Sequence, residues 1–169
     1  GQTAEGVGQA VQSFIAMTGD IKTARAGQGV FATVANATGA DIGSVAETAA
    51  SLSQHFDVKS LEEMRDVLAS LTFQGKEGAF ELKDAAAQFQ EMAAAGAAFG
   101  MNKGVAGVKT LGGLAQIART SSGSGAETST AIIAMLTQLK MGAAGLKKDT
   151  GIDIYKDGKT RDITELLPE

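Results

Sequence analysis

The chain has 169 residues, a formal charge of −4 and no cysteine, enough for one hydrophobic core but without the thiols of a disulfide framework or a thiolate metal site. Its 15 lysines and arginines form no block of the kind that tracks a phosphate backbone, which argues against direct nucleic-acid binding by this segment. The hydrophobic fraction is 44%, yet much of it is alanine, with seven Phe, one Tyr and no Trp; because burial stabilises by about 25 cal/mol per Å² of apolar area, such a core predicts modest stability.

The single proline, Pro168, stands at the end of the chain, so glycine supplies the punctuation, with boundaries expected at Gly19, Gly39, Gly75/Gly78, Gly100/Gly104 and Gly123/Gly125. Between them helical periodicity recurs. Val7, Val11, Phe14 and Ile15 mark one face, Val45, Ala49, Leu52 and Phe56 a second, and Leu61, Met64, Leu68 and Leu71 a third. Leu82, Ala86, Phe89 and Ala93 follow, then Val108, Leu111 and Ala115, then Ile132, Met135, Leu136 and Leu139. Asp20 and Asp41 are expected as simple N-caps. Ser60 to Glu63 and Ser124 to Glu127 have the S-x-x-E form of a capping box just before an apolar run. Helix–turn–helix units about 40 to 47 residues long recur loosely. Setting Met64 beside Leu111 also aligns Val67 with Leu114 and Gly78 with Gly125, matches that fit true repetition and any two Gly-punctuated amphipathic helices equally.

After Gly151 the pattern changes. Ile152 to Tyr155 alternates apolar and polar, and Asp157-Gly158 is a type I′ hairpin turn signal. Asp162-Ile163-Thr164-Glu165 then restarts a capped helix. The expected fold is therefore all-α, a compact array of six to nine short Gly-punctuated helices over residues 1–150, with one small C-terminal β-hairpin between Ile152 and Asp162 and the start of a further helix in 151–169. The sequence opens at Gly1 with neither a Met nor a basic, apolar leader, and reads as an excerpt of a much longer chain.

Residues that carry chemistry elsewhere read here as structural. The one histidine, His55, lies near a helix C-terminus, where the dipole favours it, with no partner nucleophile or acid at a defined spacing. Asp153, Asp157 and Gly158 have a faint calcium-loop spacing, but Tyr155 falls at the third position and Thr164 at the twelfth, where a carboxylate is needed. Glu62/Glu63 and Glu81 to Asp84 occupy helix first turns, where the macrodipole favours negative charge. Gly96, Gly100 and Gly104 stand four apart, the spacing that lets membrane helices approach; with Asn102 and Lys103 inside, the stretch reads as a helix end and turn. The Met92–Ala118 stretch likewise reads as two helices and a turn, since no uncharged apolar run reaches the roughly 18 residues that span a bilayer. Metalloprotease, nucleophile-elbow and P-loop motifs are absent. The residues thus point to a structural protein and not an enzyme, with no cofactor, no metal and no catalytic residue.

A Gly-rich turn, Ser122-Gly123-Ser124-Gly125-Ala126, leads into an amphipathic helix from Glu127 to Leu139; a spacer, Lys140 to Asp149, is followed by Gly151-Ile152-Asp153-Ile154-Tyr155-Lys156-Asp157-Gly158-Lys159-Thr160-Arg161 and a run ending Leu166-Leu167. This order resembles the core region of tape measure proteins of tailed bacteriophages and prophages, although the spacer lacks the proline expected there. The resemblance implies a virion structural protein that sets tail length during assembly and is released from the tail tube ahead of the DNA at infection. It implies manufacture in the bacterial host cytoplasm and a place in the tail lumen, with the tail tube, tail tip or baseplate proteins and tail assembly chaperones as partners. Self-association within the parent protein and membrane contact only during ejection are also implied. The alternative from a different class is a helical interaction or scaffold module of a cellular protein.

Overall fold

The computed structural model describes residues 2–77 and 81–161. Among them seven helices follow one another: α1 (Ala4–Thr18), α2 (Ile21–Thr38), α3 (Ile42–Phe56), α4 (Leu61–Glu77), α5 (Leu82–Phe99), α6 (Gly104–Arg119) and α7 (Gly125–Thr150). Two short strands, β1 (Tyr155–Lys156) and β2 (Lys159–Thr160), pair antiparallel after them, with Tyr155 opposite Thr160 and Lys156 opposite Lys159. The fold is all-α apart from this hairpin.

Local chemistry explains most helix ends. Thr3, Asp20, Asp41 and Ser124 each accept a bond at a helix N-terminus, from the backbone N–H of Gly6, Thr23, Ser44 and Glu127 respectively, satisfying donors that the first turn leaves without partners. Gly19, Gly39, Gly100 and Gly151 adopt the left-handed conformation that closes α1, α2, α5 and α7. Asp57 does the same for α3 with φ 61°, a conformation that aspartate visits more readily than most non-glycine residues. Two expected boundaries shift. Helix α4 runs through Gly75 to Glu77, and Gly78 lies outside the described residues, as does the helix expected from Asp162. The stretch Lys140–Asp149 is not a spacer but the second half of α7: made mostly of Lys, Ala, Met and Leu, with Gly142 and Gly145 but no proline, it continues the helix until Gly151 ends it.

The helices pack in two layers. The odd ones, α1, α3, α5 and α7, lie side by side, each against the next, and the even ones, α2, α4 and α6, form a second layer over them. Within the odd layer like ends meet. Ser129 of α7 donates to the Gln88 carbonyl early in α5, Lys140 donates to the Ala98 carbonyl at its end (2.7 Å), and the Gln54 amide of α3 donates to the Met17 carbonyl at the end of α1. These helices are therefore parallel, each carbonyl end tied to a later segment; Lys103 similarly donates to the His55 carbonyl of α3. Odd helices begin at residues 4, 42, 82 and 125 and even ones at 21, 61 and 104, intervals of about 40 residues, within the range of helical-hairpin repeats.

The core between the layers is built on Phe14, Phe31, Phe56 and Phe89, all but fully buried, with Leu52, Met64, Leu68, Met92 and Leu111. Phe14 of α1 and Phe31 of α2 stack with ring centroids 5.6 Å apart. Close approach is made possible by Gly107 in α6: a Cβ there would lie 1.7 Å from the Asn102 carbonyl oxygen and 2.9 Å from the Phe56 ring.

Candidate functional site

Three features carry the residues singled out in the sequence: the entrance of α4, the entrance of α7 and the hairpin. At α4, Ser60 Oγ accepts from the Glu63 N–H at 3.1 Å, while Glu63 Oε2 accepts from the Ser60 N–H at 3.2 Å and from the Lys59 N–H at 3.3 Å, the reciprocal geometry of a capping box. These bonds, first that from the Ser60 backbone, hold the Glu63 carboxyl below its ordinary value. At α7 the arrangement is displaced by one residue. Ser124 Oγ accepts from the Glu127 N–H at 3.2 Å, but the Glu127 carboxylate reaches past Ser124 to accept from the Gly123 N–H at 2.6 Å.

The hairpin turns on Asp157 and Gly158, with φ of 53° and 76°, positive at both central positions as a type I′ turn is. It folds back on the body. Ile154 is buried, Tyr155 packs beside Phe99 with ring centroids 6.2 Å apart, and the Thr160 N–H donates to the Gly100 carbonyl at 3.3 Å. Asp153 does not act with Asp157 as a ligand set. Its carboxylate accepts from Lys147 of α7 at 2.6 Å and from the Tyr155 N–H at 3.1 Å, and the Lys147 bond foremost lowers its pKa. Among the described residues no group of three or more His, Asp or Glu is placed to hold a metal ion. His55 sits in the last turn of α3, half-buried. Gly96 packs inside α5 against Met101 and Phe56, whereas Gly100 and Gly104 both have positive φ in the α5–α6 turn. No helix among the described residues is long and apolar enough to cross a membrane.

One surface was not read from the sequence. Along α2, Ala26, Gly29, Thr33 and Ala37 lie at helical spacing and face Arg65, Ala69, Thr72 and Lys76 of α4 across a groove of about 610 Å³. The small side chains on the α2 wall leave the space between the two helices unfilled, so the even layer stays open here. The signal was present as an i, i+3, i+7, i+11 series of small residues. It was missed because α2 lacks a stripe of large apolar residues.

Set against known proteins, residues 1–168 match the family model described as phage-related minor tail protein. The chain is also similar to a probable tape measure protein of Burkholderia phage BcepMu (isolate -/United States/Summer/2002), 31% identical over 152 residues that cover 90% of this chain. It spans only 16% of that relative's length. No solved structure matches. With the family model matched over nearly its whole length, the chain belongs to the phage-related minor tail protein family.

Proposed function

We propose that this chain is a structural segment of a tape measure protein, placed in the tail lumen of the virion, where the parent protein sets tail length during assembly and leaves ahead of the DNA at infection. The observation that carries this reading is the similarity over 90% of the chain to a relative named as a probable tape measure protein. The segment acts by contact and not by catalysis. Its partners are the tail tube, the tail tip or baseplate and the tail assembly chaperones.

Physical chemistry is compatible with the role. A chain that packs in a narrow tube and later leaves it benefits from lacking disulfides and from helices that open at low free energy, and this one has no cysteine and an alanine-rich core. The architecture also constrains how the segment contributes to length. As one continuous helix, 169 residues would span about 250 Å at 1.5 Å per residue. Folded into two layers, a globule of this size has a radius of gyration of only about 15 Å.

The test is an in-frame deletion of the segment from the parent gene, with tails measured by electron microscopy. Tails are expected to be absent or shortened by well under the helical value. Viable tails shortened by the full helical amount would show that the segment is stretched in the virion, and viable tails of unchanged length would remove it from the ruler.

A further inference from the structure

Each helix of the even layer exposes one large hydrophobic side chain: Ile21 on α2, Phe73 on α4 and Ile117 on α6 are 54%, 68% and 70% exposed. Phe73 stands at the wall of the α2–α4 groove, with Leu61 along the same helix and Val30 and Val34 of α2 opposite. Arg65 and Lys76, both exposed, line the groove about three helical turns apart, roughly 16 Å along the axis. Neither forms an ion pair among the described residues, and no carboxylate is among the described residues lining the groove. Outside the lining, α2 carries Lys22 and Arg25 and no Asp or Glu, and α4 carries Glu62, Glu63 and Asp66.

We propose that the α2–α4 groove docks an amphipathic helix of a partner chain, with aliphatic residues directed between Val30, Val34, Leu61 and Phe73 and carboxylates set against Arg65 and Lys76. The walls are helices whose backbone groups are already bonded within themselves, so they present no edge to an extended peptide. A ligand that satisfies its own backbone, a helix, loses least on entering. The unpaired cations select acidic flanks. A second copy of this chain fits less well: of its helices with an exposed aliphatic side chain, α2 and α6 contain no Asp or Glu, and on α7 Met141 directly follows Lys140.

Two synthetic helical peptides about four turns long, sharing one leucine stripe and carrying either Glu or Lys on its flanks, test the proposal by fluorescence anisotropy with the whole chain. The Glu peptide is expected to bind roughly tenfold more tightly than the Lys peptide at low salt, the gap narrowing as salt screens the charges. The R65E/K76E variant should reverse the preference, and Ala69→Trp, which fills the groove from an exposed helix position, should abolish binding with circular dichroism unchanged. Equal binding of the two peptides, binding of neither, or a Glu-peptide preference that survives R65E/K76E would overturn it. So would a concentration-dependent dimer in sedimentation velocity that is lost on R65E/K76E, because the groove would then belong to a second copy. Should Ala69→Trp fail to fold, the charge reversal alone decides.

Discussion

At the scale of single residues, the turn at Gly158 and the cap at Glu63 give the sharpest expectations. Gly158 holds φ at 76° with nothing near its Cβ position, so a substitution there costs conformational energy and not space. Replacing it with Val is expected to cost on the order of 1–2 kcal/mol and to lower the thermal unfolding midpoint; an unchanged midpoint would mean that the hairpin does not contribute to the folded unit. Glu63, Asp20 and Asp153 all have carboxyl pKa values below their ordinary ones, held down foremost by bonds from Ser60, Thr23 and Lys147. A carboxylate whose pKa is lowered by folding stabilises fully above its unfolded value, and that stabilisation is lost as pH falls through the folded value. The melting temperature should therefore decline on acidification from about pH 5 toward pH 3. Glu63→Gln should melt lower than the parent at neutral pH and converge with it in acid, and a gap that persists at the acid end would assign the cap to hydrogen bonding alone.

At the scale of elements, α7 differs from the others. It runs for 26 residues against 18 in α5, and Lys140 is level with the last carbonyls of α5, so the turns from Met141 to Thr150 extend beyond its partner. None of the residues after Leu136 in this helix is fully buried; the extension is held by its own backbone bonds, by Ala143 and Leu146 packed partly buried against the core, and by the Lys147–Asp153 pair. Gly142 and Gly145 sit in this stretch with no atom within contact of a would-be Cβ. Changing each to Ala is expected to stabilise by about 0.5–1 kcal/mol through lower backbone entropy in the unfolded chain. The readouts are far-UV circular dichroism and the melting curve. A loss of helix on substitution would show that these glycines serve a contact made outside the chain.

On the scale of the whole molecule, the alternating layers make each helix depend on neighbours two positions away in sequence. Stability is then distributed over successive units of an all-α stack, and the aromatic side chains buried in the core that joins them, among the described residues, are five phenylalanines. Membership of the phage-related minor tail protein family accords with the resemblance carried by residues 123–169. For the non-enzymatic reading, the purified chain is expected to show no peptidoglycan hydrolysis and an unfolding midpoint unmoved by a chelator. Hydrolysis abolished by His55→Ala would reverse it.

What the sequence by itself determined is the short-range part: the helical class, the N-caps at Asp20 and Asp41, the Asp157-Gly158 turn and the family resemblance. Each depends on residues within a few positions of one another, where hydrogen-bond geometry and backbone preference act without help from the rest of the chain. Even so, α2 was marked only by its cap, because its buried residues are mainly Ala, Gly and Val with a single Phe, too small to stand out as a stripe. Only the tertiary structure decided that odd and even helices segregate into layers, that Thr160 docks on the Gly100 carbonyl, and that α2 and α4 leave a groove between them. These outcomes turn on which faces meet and on the volumes that fill the space between helix axes, and residues far apart in the chain contribute those volumes jointly.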